Sequence, residues 1–126
     1  MRNRLWNCKN PYQQQYKRVL TVCSAGLLRS PTAALVLSLE PYNFNTRSCG
    51  IDTGHALIIF DKVLACWADE IICMTKEQKE FVDNFIAKYE DTKKPVHNWD
   101  IPDCYAYREL ELIKIMQERA RGYYEN

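Results

Sequence analysis

Cys23 and Arg29 stand six positions apart in the stretch CSAGLLRSP, residues 23–31. A cysteine thiolate is a strong nucleophile. A guanidinium is a planar fork that grips two oxygens of one phosphate group. The residues before the pair, RVLTVC (18–23), form an apolar, β-rich run. Those after it, PTAALVLSL (31–39), have helical character up to Pro41. The pair therefore belongs to the turn between a strand and a helix.

Such a turn points its backbone N–H groups inward and adds the positive end of a helix dipole, which together make a nest for a phosphate-sized anion. The amides from Ser24 through Ala25, Gly26, Leu27 and Leu28 to Arg29 would form the cradle. Gly26 permits the backbone angles of a tight loop. Ser30 is suited to cap the helix and Pro31 to its first position. The field that holds a phosphate also stabilises a thiolate at Cys23. A nucleophilic sulfur at the base of an oxyanion cradle can attack a phosphate ester and give phosphocysteine, with no metal or cofactor needed. The bland alternative is a cysteine that ends a buried strand as a small hydrophobe and an arginine on the surface of a first helical turn. The strand before, the glycine within and the Ser-Pro after weigh against it.

A second candidate group is DIPDCY, residues 100–105. A carboxylic acid on a loop facing the cradle could protonate the leaving oxygen and later activate water. Asp100 and Asp103 both qualify on chemistry, and both could instead be turn acids around Pro102. Tyr105, Tyr107 and Trp99 could wall a slot for a phenyl ring, with Leu27 and Leu28 as an apolar rim.

The elements that must position these residues alternate. Strands are predicted at Arg18–Cys23, Asn43–Cys49 (ending at Gly50), Glu70–Met74 and Lys94–Trp99. Helices are predicted over Pro31–Leu39, over Ala56–Ala68, from Thr75 as N-cap through KEQKEFVDNFIAKYE, and over residues 108–122. Thr75 and Gln78 fit a capping box. The order βαβαβαβα implies an α/β fold: a small, doubly wound, four-stranded parallel sheet with helices on both faces. Ligands in such sheets bind beyond the carboxyl ends of the strands, so the CSAGLLR turn and the DIPD loop are expected on one rim.

At 126 residues the chain is expected to form one domain. Residues 1–17 would be an N-terminal extension, a solvated arm whose basic residues (with Arg18) are Arg2, Arg4, Lys9 and Lys17, and 18–126 the α/β domain. Charged residues make up 26% and the formal charge is +1, so no overall field points to nucleic acid or a membrane surface. The N-terminus lacks an apolar signal region, and no stretch approaches the roughly 20 apolar residues of a membrane span. The expectation is a cytoplasmic, reducing compartment, with the six cysteines as thiols. No Cys-x2-Cys pair or metal-spaced histidine suggests zinc.

VLTVCSAGLLRSPTA resembles the active-site loop of the low-molecular-weight protein tyrosine phosphatases, with their Cys-x5-Arg-Ser-Pro signature early in the chain. RSCGID, WADEIICMTKEQ and DIPDCY resemble that family's second-strand end, third strand and acid loop. WAD-I-M followed by DIPD is more specifically similar to compact predicted bacterial and phage members. The resemblance spans about residues 18–122. It implies Cys23 as nucleophile, Arg29 as phosphate ligand and Ser30 as hydrogen-bond partner of the thiolate. It further implies Ser48 as a buttress of the loop, Asp103 as acid and base, Asp100 as a supporting loop residue and Tyr105 as the substrate-facing aromatic. Substrates would be phosphorylated proteins or small aryl phosphates.

Three positions depart from the family pattern. Gly26 stands where an Asn usually ties the loop together, Leu28 where many members have a second cysteine, and Cys104 where a Pro follows the acid. Loop rigidity is thereby in question, and a protective pairing of Cys104 with Cys23 is conceivable. Competing expectations are an arsenate reductase of similar fold, with Cys66 and Cys73 as candidate resolving thiols, and a phosphocysteine carrier, since VCSAG also resembles the B subunits of sugar phosphotransferase systems. A third is a module that binds phosphotyrosine without hydrolysing it.

Overall fold

The computed structural model describes residues 17–24, 29–54, 56, 58–89, 94–101 and 110–124. Among these, strands and helices alternate: β1 (Arg18–Cys23), α1 (Arg29–Ser38), β2 (Asn45–Gly50), α2 (Lys62–Trp67), β3 (Glu70–Cys73), α3 (Lys76–Ile86), β4 (Val96–Asn98) and α4 (Leu110–Tyr124). The sheet order is β2-β1-β3-β4 and every pair is parallel. This is the predicted small four-stranded α/β sheet.

Alternation along the strands sorts the core. Leu20 and Val22 of β1 join Cys49, Leu64, Trp67, Ile71, Cys73 and Val82 on the face covered by α2 and α3. Val19 and Cys23 join Ala33, Leu37, Ile72, Leu112 and Met116 on the face covered by α1 and α4. Burial on both faces is why β1 is apolar at nearly every position. The exceptions are Arg18 at its start, partly buried, and Thr21, fully buried. Pairing aligns Cys23 with Gly50, Val22 with Cys73 and Cys73 with Asn98, so the carboxyl ends of all four strands share one rim.

Several boundaries differ from expectation. The helix predicted over Ala56–Ala68 is only Lys62–Trp67. Ile59 instead bridges Gly50 in parallel fashion, with Gly50 N–H donating to Ile58 O and Phe60 N–H to Gly50 O, each at 2.9 Å. Residues 58–60 are thereby not helical, and Asp61 starts α2 by accepting from Leu64 N–H. The second strand begins at Asn45 rather than residue 43, and β4 is three residues long, shorter than the predicted Lys94–Trp99. The helix after β1 begins at Arg29, so Ser30 lies inside its first turn and is not the cap. The capping box of α3 forms as predicted.

The opposite rim is polar and closed. Glu70, 8% exposed, accepts from Lys17 Nζ at 3.1 Å and from the Tyr124 hydroxyl, with His97 Nε2 at 3.4 Å. Burial, then the Glu70 bond and charge, push the Tyr124 hydroxyl well above its ordinary range. Arg18 clamps Asp69 through its backbone N–H and its guanidinium. Burial would raise the Asp69 carboxyl, but the Arg18 bonds and charge outweigh it and hold it below the usual range. These contacts tie the start of β1 and the end of α4 to β3, leaving the carboxyl rim for the site.

Candidate active site

Cys23 ends β1 at the carboxyl rim and is buried, with 3% of its surface exposed. Its Sγ lies 3.1 Å from Ser30 Oγ. Ser30 Oγ also sits 3.2 Å from the carbonyl oxygen of Cys49, to which it donates. A hydroxyl has one hydrogen to give. A protonated Cys23 can donate to Ser30, which then donates to Cys49. An ionised sulfur draws the Ser30 hydrogen to itself.

The first turn of α1 is anchored from below. Thr21 Oγ1 donates to Ser30 O at 2.7 Å, with Arg47 O at 3.3 Å as a second acceptor. Sequence patterns missed this role, although a lone threonine in the buried run VLTVC is the signal for it. Thr21→Val keeps the shape but leaves the Ser30 carbonyl without that donor. Unfolding in urea is expected to show a loss of about 1 kcal/mol, because the helical acceptor retains other partners. Ser48, proposed as a buttress, lies in β2 directly across from Thr21 and is partly buried.

Arg29 is the first residue of α1 and is buried, 5% exposed. Its Nη1 donates to the carbonyl oxygen of Ile101 at 3.0 Å, across 72 residues of sequence. Ile101 N–H in turn donates to Met74 O at 2.8 Å, so Ile101 is fastened to the end of β3 and to Arg29 together. Among the described residues, Arg29 after the first expected loop and Ile101 at the start of the second meet on one rim. Asp100 is exposed, with φ of 53°. Its Oδ1 accepts from Asn98 Nδ2 at 2.9 Å, and its N–H donates to Asn98 Oδ1 at 2.9 Å. These reciprocal bonds shape the exit from β4.

Ser24, the first loop residue, is held on two sides. Its carbonyl accepts from Asp52 N–H at 2.8 Å, and its hydroxyl accepts from Gln78 Nε2 at 3.2 Å. Ser24, Arg29, Thr75, Lys76, Glu77, Gln78 and Ile101 line an open cleft at the rim. Gln78 is a further residue that sequence reasoning missed in this role. Ala25, Gly26, Leu27, Leu28, Asp103, Cys104 and Tyr105 lie outside the described residues. Among the described residues no group of three His, Cys, Asp or Glu side chains is arranged to hold a metal ion, and no helix is long and apolar enough to cross a membrane.

No protein-family model matches the sequence, and no curated protein matches it. Solved structures do match in fold. The tyrosine phosphatase Wzb from Escherichia coli K30, solved with phosphate, aligns with a TM-score of 0.66 at 16% identity, covering 88% of this chain and 98% of that one. The low-molecular-weight protein tyrosine phosphatase SP-PTP from Streptococcus pyogenes aligns at 0.65 and 14%, covering 86% and 91%. The YwlE arginine phosphatase from Geobacillus stearothermophilus aligns at 0.55 and 19%, covering 84% of each chain. The chain has the fold of the low-molecular-weight protein tyrosine phosphatases.

Proposed function

We propose that this protein is a phosphatase that hydrolyses aryl phosphomonoesters, protein phosphotyrosine foremost, through a phosphocysteine intermediate. The observation that carries the reading is the join at the rim. Cys23 Sγ is 3.1 Å from the Ser30 hydroxyl, and Arg29, at the far end of the same loop, is bonded to the acid segment at Ile101. The tyrosine phosphatase activity of proteins with the same fold supports it.

In the proposed reaction the backbone amides of residues 24–29 and the Arg29 guanidinium hold the phosphoryl oxygens. The Cys23 thiolate attacks phosphorus and forms the S–P bond as the P–O bond to the aryl group breaks. Asp103 gives its proton to the departing oxygen. Water then attacks phosphorus and passes a proton to Asp103. The S–P bond breaks, inorganic phosphate leaves and the thiolate returns. Ser30 donates to the sulfur when it is ionised. Asp100 and Ser48 support the two loops, and Tyr105 faces the aryl group. The proposed setting is the cytoplasm, where a working thiol stays reduced.

The acid assignment has a direct check. Asp103→Asn is expected to lower kcat about 10²- to 10⁴-fold on p-nitrophenyl phosphate, the range for losing a positioned acid. Asp100→Asn keeps an oxygen for Asn98 and tolerates positive φ, so its turnover is expected within about threefold of the parent. Loss of activity in the Asp100 variant alone would show that the acid has been misplaced. Assays on phosphotyrosine and phosphoarginine peptides separate aryl esters from the phosphoramidate class suggested by the YwlE likeness.

Cys73 weighs against the arsenate reductase reading. It lies on the sheet face away from Cys23. Burial, then the Asp83 charge, push its thiol up to about 12. A thiol so held is a poor resolving nucleophile.

A further inference from the structure

Gln78 occupies an unusual place for a polar side chain: it is 1% exposed and its side-chain hydrogen bonds converge on the rim. Its Oε1 accepts from Met74 N–H at 2.8 Å and from Thr75 N–H at 3.0 Å. Those two donors require an oxygen, so the amide cannot be flipped, and Nε2 must face Ser24, whose hydroxyl it reaches at 3.2 Å. The capping box explains the oxygen end. Nothing in helix capping needs the nitrogen end, which crosses 54 residues of sequence to the residue that follows Cys23.

We propose that Gln78 is a positioning residue of the phosphate loop. It clamps Ser24 from α3 while Asp52 N–H clamps the Ser24 carbonyl from the other side. With a lone pair of Ser24 Oγ taken by the amide, the single Ser24 hydrogen is left to point into the cleft it shares with Arg29, where it is a donor to a bound oxyanion. This rests on the reading of the loop as a phosphate cradle and deepens it. Gly26 offers no side chain to tie the loop from within, and Gln78 supplies a tie from outside.

Gln78→Glu separates this role from capping. Glu retains both acceptor bonds and fits the capping box, and its charge suits a helix N-terminus. It lacks the donor for Ser24, so the Ser24 hydroxyl turns to donate to the carboxylate and is withdrawn from the anion. The readouts are turnover of p-nitrophenyl phosphate, inhibition by inorganic phosphate, protection of Cys23 from iodoacetamide by phosphate, and the melting midpoint. The Glu variant is expected to melt at or above the parent, with kcat/KM and phosphate affinity each down about tenfold, the loss of roughly one charge-assisted bond. In a Ser24→Ala background the same change is expected to cost less than about threefold, because the partner is already gone.

Phosphate affinity and turnover within twofold of the parent, or an equal loss in both backgrounds, would overturn the proposal while leaving the phosphatase reading intact. A parent that neither turns over the aryl phosphate nor binds phosphate overturns both. Should the Glu variant not fold, Ser24→Ala alone decides: weaker phosphate protection of Cys23 by about fivefold is expected, and unchanged protection overturns the clamp.

Discussion

Cys23→Ser is expected to reduce hydrolysis of p-nitrophenyl phosphate by at least about 10⁴-fold, equivalent to about 5.4 kcal/mol of barrier. The change replaces one atom, but it removes the nucleophile of the proposed reaction. A serine hydroxyl keeps its proton in that field, whereas a thiol can release it. Binding should survive, because the amides of the loop and Arg29 are untouched. The variant is therefore expected to retain phosphate binding, measured by calorimetry, within about threefold of the parent, as expected for a group that acts in the transition state rather than in the ground state. Retained turnover in the serine variant would remove the phosphocysteine from the mechanism.

Arg29→Lys is expected to lower kcat/KM about 10²- to 10³-fold, with charge conserved. The loss follows from geometry. Arg29 is buried and its Nη1 donates to the Ile101 carbonyl at 3.0 Å, so one planar group serves both that tie and, in the proposed reaction, the phosphate. A lysine ammonium is a single point and lacks the flat, two-pronged edge that fits two oxygens. It must choose between the anion and Ile101. If it chooses the anion, the DIPD segment loses its tie to the cradle. Steady-state kinetics with phosphate as competitive inhibitor check this: both KM and the inhibition constant are expected to rise and kcat to fall. A lysine variant with kcat/KM within threefold of the parent would show that the fork does not grip the substrate.

Much of the fold was legible in the residues. The apolar runs at 18–23 and 70–73, each followed by a helical segment, specify a parallel sheet because their strands must be covered on both sides. The strand–loop–helix around Cys23 and the Thr75–Gln78 cap are local patterns, and they form where local chemistry puts them. The misses share a cause in long-range contact. Ser30 looks like a cap because Ser-Pro is a cap signal. Its actual partners are Cys23 Sγ and the Cys49 carbonyl, and no spacing in the sequence announces the latter. The bond from Arg29 to Ile101 and that from Gln78 to Ser24 likewise join distant segments. The helix predicted from residue 56 was shortened by the bridge between Ile59 and Gly50, which competes for the same backbone groups.

β1 lies in the interior of the sheet, paired on both sides, whereas β4 is an edge strand of three residues. Opening of a protein starts at its weakest margins. In the proposed reaction that margin carries the proton donor, and the sulfur rides on the segment that frays last. Partial melting would thus part the sulfur from the proton relay on which both half-reactions draw. A chain with a loosened edge would keep its nucleophile seated and still hold an oxyanion, yet form and discharge the phosphoryl-enzyme slowly, turning a catalyst into a binder before it ceases to be folded.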